Sequence, residues 1–118
     1  ANNEARVRMV HPTWEGDTLW IATGPNSAKA REIHKNGAVD IQFQVAPDDF
    51  VHLLVRGNAS VLTDQATKDR IWDVMDYDLA QFWPAGPTSP DYCVVKVLPS
   101  RVELSQMFGT MNKRVWKV

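Results

Sequence analysis

Residues 39–45 read VDIQFQV, in which Val39, Ile41, Phe43 and Val45 alternate without a fault with Asp40, Gln42 and Gln44. A period of two over seven residues is the signature of a strand with one apolar and one polar face. The segment commits this part of the chain to a sheet. Further stretches read the same way. In ARVRMV, Val7 and Met9 alternate with Arg6, Arg8 and Val10, and TLWIAT at 18–23 is rich in strand formers. HPTWEGD lies between them with Pro12 and Gly16 and reads as a turn, which predicts an antiparallel hairpin with a long loop. APDD makes another turn, and FVHLLVRGNASVL at 50–62 is a longer strand, with Gly57 expected as a bulge or kink. YCVVKVL at 92–98 and RVELSQM at 101–107 are expected as two strands separated at Pro99, while the tail NKRVWKV stays unassigned.

Two helices interrupt the strands. In TGPNSAKAREIHKNG, residues 23–37, the run Gly24–Pro25–Asn26 breaks the preceding strand, and Asn26 or Ser27 can cap a helix through its side-chain oxygen. Ala28 to Asn36 follow as helix formers, with Ala30, Ile33 and His34 as the buried side and Gly37 placed to end the helix. Asp64 caps a second helix over 65–77, where Ile71, Trp72 and Met75 recur at helical spacing. The loop FWPAGPTSPD then carries Pro84, Pro87 and Pro90. The resulting order, β-β-α-β-β-α-β-β with short turns, predicts a mainly β fold. A small antiparallel barrel with peripheral helices suits it better than a parallel α/β sheet.

A length of 118 residues suits one domain, and 44% apolar residues are enough for a core. The five tryptophans are many for that length and place some at an interface or ligand pocket. A formal net charge of −1 argues against a general nucleic-acid binder. No apolar run approaches the length of a membrane span, and no secretory signal is visible. Cys93 is the single cysteine, so it forms no internal disulfide. A reducing cytoplasm is the expected setting, and its apolar neighbours mark Cys93 as a core residue.

The helix start at Ser27 is the most suggestive chemistry. Amides at a helix N-terminus point outward with partial positive charge, Ser27 adds a hydroxyl and Lys29 an ammonium. Arg6 and Arg8, two apart, share one strand face and can bring a guanidinium suited to phosphate. On spacing alone the favoured reading is an ordinary capped helix with solvated basic side chains. Other chemistries find less support. His11, His34 and His52 lack paired ligand spacing. Asp48–Asp49 reads as a polar turn and Asp73–Asp76–Asp78 as a helix end, without a calcium-loop pattern. No nucleophile elbow and no GxGxxG occurs.

Taken together, AR at 5–6, LWIATGPNSAKAREIHKNGAVDIQF at 19–43, VRGNASVLTD at 55–64, IWD at 71–73 and FWPAGPTSPDYCVVKV at 82–97 carry a resemblance. They resemble the pyridoxamine 5′-phosphate oxidase-like FMN-binding split barrel, and within it the general stress protein branch. The likeness spans residues 5–104. Its most specific part is the pattern of Thr23, Ser27 and Lys29, then Glu32–Ile33, then Asn36 before the next strand and Gly57–x–Ala59 beyond it.

The resemblance implies a single split-barrel domain over 1–118 that pairs into a homodimer, with two FMN sites at the interface. By motif position Ser27 and Lys29 would hold the phosphate. Arg6 would be the family arginine, with Arg8 its rival for that role. Thr23 would contact the flavin from the end of the second strand, and main chain from Val7 through Arg8 to Met9 would lie beside the ring. His52 falls near where some relatives place a glutamine from the partner subunit. Trp72 or Trp83 could supply a flat apolar wall, although core or interface packing is the first expectation for each.

The chain also departs from the true oxidases. Ala28 stands where they carry a second basic residue, and Leu104–Ser105–Gln106 stands where they carry an aromatic–Trp–Gln. Ser89 replaces the branch's usual acidic residue before Pro90, and the Arg–x–His substrate motif is missing from MFGTMNKRVWKV. Family members usually begin with a further helix and strand, so the resemblance implies a trimmed variant or a barrel completed differently. The expectation is an FMN-binding flavoprotein, an oxidoreductase of open substrate distinct from pyridoxamine phosphate oxidation. It would exchange electrons with a small molecule and bind neither nucleic acid nor membrane. The alternatives are a non-enzymatic stress-related or ligand-binding module of the same fold, with an empty pocket, a deazaflavin or haem (His52 or His34 as axial candidate), and a dimeric domain serving only protein contacts.

Overall fold

The structure, a computed structural model, describes residues 10–46, 50–106 and 111–117. In chain order its elements are β1 (Thr13–Glu15), β2 (Thr18–Thr23), α1 (Ala28–Lys35), β3 (Ala38–Ala46), β4 (Val51–Leu62), α2 (Gln65–Val74), a 3-10 turn (Leu79–Gln81), β5 (Cys93–Gln106) and β6 (Met111–Lys117). The strands hydrogen-bond in the order β1-β2-β5-β4-β3, with β6 also on β5. The pairings β1–β2, β2–β5, β3–β4 and β5–β6 are antiparallel.

The predicted hairpin is closer-knit than the sequence suggested. The strand expected over ARVRMV lies outside the described residues except for Val10. Within them β2 pairs with Thr13–Glu15, inside the segment read as a turn. Only Gly16 and Asp17 separate Glu15 from its partner Thr18, and Gly16 takes a positive φ of 56°. A two-residue loop with glycine first matches the twist of the flanking strands.

Two further expectations are corrected. Against β3, Gly57 is not a bulge: it stands in regular register opposite Val39, and the β3–β4 irregularity falls instead at Gln44/Ala46. Its role is close approach, because a Cβ on Gly57 would meet the Leu98 carbonyl oxygen at 2.6 Å and the Pro99 Cα at 3.1 Å. Pro99 does not divide two strands either, and β5 runs unbroken through it. The reason is the ladder. β2 pairs with β5 from Cys93 to Val97, and β6 pairs with it from Arg101 onward. Pro99 falls between the stretch paired with β2 and the stretch paired with β6, where neither of those two strands needs its missing N–H.

Both helices begin as expected. Ser27 caps α1 and Asp64 caps α2, but α2 ends at Val74, shorter than the segment read from sequence, with Met75 as its C-cap. On α1 only Ala30 is buried; Ile33 is half-buried and His34 exposed. The unassigned tail forms β6.

The chain divides into two compact units. The first comprises the chain up to Gly37 with Ala59–Val97, and the second Ala38–Asn58 with Leu98 onward. The first holds the main core: Trp20, Ile71, Met75, Leu79, Tyr92 and Val94, with Trp72 and Trp83 packed against it. Cys93 is buried in the same unit, as its apolar neighbours predicted. In the second unit Val55 is the one buried hydrophobic side chain among the described residues, whereas Val45, Phe50, Leu98, Val115 and Trp116 are exposed. Among the described residues no helix is long and apolar enough to cross a membrane.

Candidate functional site

β2 delivers Thr23 to the edge of the first unit, opposite Cys93 on β5, with its side chain buried. The chain then turns at once. The Ser27 amide donates to the Gly24 carbonyl at 3.1 Å, which closes the turn and sets Ser27 at the mouth of α1. Ser27 is extended (φ −70°, ψ 158°), and its Oγ accepts from the Ala30 amide at 3.2 Å. One side-chain oxygen thus satisfies one of the amides that a helix start leaves without an internal acceptor.

Around this cap the polar groups converge. Lys29 Nζ donates to Thr23 Oγ1 at 3.3 Å, and Thr23 Oγ1 lies 3.3 Å from Ser27 Oγ. An ammonium and two hydroxyls therefore meet at the positive end of a helix dipole. No acidic residue occupies the first turn of α1, and the basic His34 and Lys35 sit in its last turn. The first turn of α1 therefore carries no carboxylate of its own to compensate the positive end, a setting that favours an anion. Arg31 lies beside the corner and donates from Nη1 to the Asn26 carbonyl at 3.0 Å. The charge of Lys29 is also felt behind the corner. Burial pushes the Cys93 thiol above its ordinary range, while Lys68 and Lys29 pull it the other way.

The structure brings together Thr23, Ser27 and Lys29, the three motif residues of the predicted phosphate corner that it describes. Arg6, Val7, Arg8 and Met9 lie outside the described residues. His52 belongs to β4 in the second unit, where it is buried and its Nδ1 lies 3.2 Å from Gln42 Nε2. Both candidate ring walls pack on the core. Trp72 meets Tyr92 edge-on at 5.2 Å and Trp83 lies 5.3 Å from the same ring. Among the described residues no group of three or more His, Cys, Asp or Glu could hold a metal ion.

Sequence reasoning did not find the support beneath the corner. A Cβ on Gly24 would come within 3.3 Å of the Asp91 carbonyl oxygen, and that oxygen accepts the Trp83 indole N–H at 2.9 Å. The loop between is tied to α2 by Lys68, whose buried ammonium donates to the Ser89 carbonyl at 3.0 Å, and by Tyr92 Oη, which donates to the Lys68 carbonyl at 2.9 Å. The three prolines of the loop were the only hint of such rigidity.

A family model described as pyridoxamine 5′-phosphate oxidase like matches residues 5–116. The chain belongs to this family. Among solved structures it is similar to a protein related to general stress protein 26 from Clostridium acetobutylicum, with a TM-score of 0.72 at 20% identity, covering 86% of this chain and 67% of that one. General stress protein 26 from Bacillus anthracis gives a TM-score of 0.71 at 21% identity, covering 92% and 76%. A general stress FMN/FAD-binding protein from Xanthomonas citri gives 0.64 at 18% identity, covering 92% and 68%. No curated protein matches the chain. At these identities the structures speak for the fold, which is the mainly β split barrel of the pyridoxamine 5′-phosphate oxidase-like family, as expected from the sequence.

Proposed function

We propose that the chain binds FMN and works as a flavoprotein oxidoreductase. The observation that carries the reading is the corner itself: Lys29 Nζ, Thr23 Oγ1 and Ser27 Oγ lie within 3.3 Å steps of one another at a helix start whose first turn holds no acidic residue. That donor set fits a phosphate monoester, whose several acceptor oxygens can meet a charged donor, two hydroxyls and helix amides at once. Family membership supports it, as does the Xanthomonas citri relative described as binding FMN/FAD. Ser27 and Lys29 would hold the phosphate and Thr23 would contact the cofactor at the end of β2. Arg6 or Arg8 and the main chain of Val7–Met9 would complete the site. The bound flavin would supply hydride and electron transfer, exchanged with a small molecule, while the protein supplies binding, orientation and local charge.

The active form in this reading is a homodimer. Val45 is 56% exposed and Trp116 51%, and with Phe50, Leu98 and Val115 they are exposed large apolar side chains of the second unit. Exposed apolar surface of this kind marks an association face.

The test is a visible spectrum of the purified protein followed by FMN titration of wild type and Lys29→Glu. The expected result is a flavin spectrum or saturable binding in wild type, and loss of flavin retention in K29E. A colourless protein with no affinity for FMN sinks the proposal. Equal behaviour of K29E and wild type would favour a domain that serves only protein contacts.

A further inference from the structure

We infer that Trp83 is a positioning residue for the anion corner, acting through the main-chain carbonyl of Asp91. The inference rests on the FMN reading and deepens it, naming what sets the site's preference for a phosphorylated ligand.

Gly24 opens the turn that carries the corner, and its carbonyl receives the Ser27 amide at 3.1 Å. The α-carbon of Gly24 packs against the Asp91 carbonyl oxygen so closely that a Cβ would stand 3.3 Å from it. The position of that oxygen therefore limits where the turn, and with it Ser27, can lie. Trp83 holds the oxygen from another direction through its indole N–H, at 2.9 Å. The indole is itself seated against Tyr92, 5.3 Å away, and Tyr92 is almost wholly buried. A rigid group thus fixes a backbone atom, and the backbone atom fixes the entry of the turn.

The contacts are also tightly linked along the chain. Asp91 lies two residues before Cys93, which pairs with Thr23 across the β2–β5 ladder. The ladder sets Thr23 from one side and the Asp91 carbonyl sets Gly24 immediately after it. Without the indole donor the ladder still holds Thr23, but the carbonyl can rotate and the turn loses its stop. Ser27 Oγ then wanders relative to Thr23 Oγ1 and Lys29 Nζ. That movement weakens a ligand's phosphate contacts and leaves contacts to a flavin ring unaffected.

The experiment compares FMN with riboflavin, which lacks the phosphate, on wild type, Trp83→Phe and Gly24→Ala. Phe keeps an aromatic ring for Tyr92 and removes only the donor. Ala crowds the same carbonyl while leaving Trp83 in place. The expected result for each variant is FMN affinity lower by about tenfold, with riboflavin affinity within about twofold of wild type (roughly 1.4 kcal/mol for the phosphate-dependent part). General destabilisation would weaken both ligands alike, and that outcome overturns the inference. So does an unchanged FMN-to-riboflavin ratio in either variant that folds. Amide hydrogen exchange gives a reading that needs no flavin: in W83F the Ala30 amide exchanges at least about tenfold faster, while Val95 in the β2–β5 ladder keeps its protection. Equal protection of Ala30 in W83F and wild type counts against the inference. A wild type that binds neither flavin defeats the FMN proposal, and the exchange result still decides the role of Trp83.

Discussion

At the scale of single residues the corner depends on one oxygen with two duties. Ser27 Oγ caps α1 through the Ala30 amide and faces Thr23 Oγ1 at 3.3 Å. Ser27→Ala removes both contacts. We expect a loss of about 1 kcal/mol in folding stability, typical of an N-cap, measured by urea denaturation. FMN affinity should fall as well, measured by fluorescence titration. A variant that loses stability but binds FMN as wild type does would separate cap from site. Gly57 shows the same dependence on one atom. Its Cβ would stand 2.6 Å from the Leu98 carbonyl oxygen, a contact relieved only if backbone moves. Gly57→Ala should cost about 1–3 kcal/mol, the range for overpacking, and appear as a lowered melting temperature.

At the scale of elements, α2 illustrates a helix start whose strength follows pH. Asp64 accepts from the Thr67 hydroxyl at 2.6 Å and from the Thr67 amide at 3.0 Å. These hydrogen bonds, the hydroxyl first, hold its carboxyl below the ordinary 3.8. The folded state therefore prefers the ionised form. The contribution is complete above the ordinary value and is lost as pH falls through the lowered one. Melting curves at about pH 6 and about pH 3 should show a smaller acid-induced drop in Asp64→Asn than in wild type. Asn still offers an oxygen to the cap but does not titrate. The group is exposed, so salt should reduce the difference. β5 makes another point at this scale. A proline in mid-sequence reads as a break, yet β5 runs through Pro99, which stands after β2 has left the ladder at Val97 and before β6 joins at Arg101.

At the scale of the whole molecule, the distribution of apolar surface matters more than its amount. The first unit buries Leu19, Trp20, Ile71, Leu79, Tyr92 and its β5 valines. The second, among the described residues, buries Val55 and exposes Trp116, Val115, Val45, Leu98 and Phe50. Phe50 also takes a positive φ of 54°, a backbone conformation costly for an aromatic residue by roughly 1–2 kcal/mol. If these side chains form the proposed dimer face, Trp116→Glu should weaken the dimer about thirtyfold or more, the effect of losing about 2 kcal/mol at an interface anchor. Light scattering across a dilution series would show it as a shift toward the mass of one 13.3 kDa chain. An unchanged mass at all concentrations would place the interface elsewhere.

What was legible in the amino-acid order was whatever a few neighbouring residues decide among themselves. The alternation at 39–45 made β3, because side chains two apart share a face whatever surrounds them. Thr23, Ser27 and Lys29 span seven positions, and a turn followed by one helical turn is enough to bring them near one another. Asp64 announced α2 for the same local reason. The rest required distant parts of the chain to meet. That β2 pairs with β5, that Gly57 packs on Leu98, and that the carbonyl steadied by Trp83 lies beneath Gly24 all depend on long-range contacts. Their partners are chosen by close packing and by the demand that every buried backbone group find a mate, and only the folded chain can satisfy those conditions all at once.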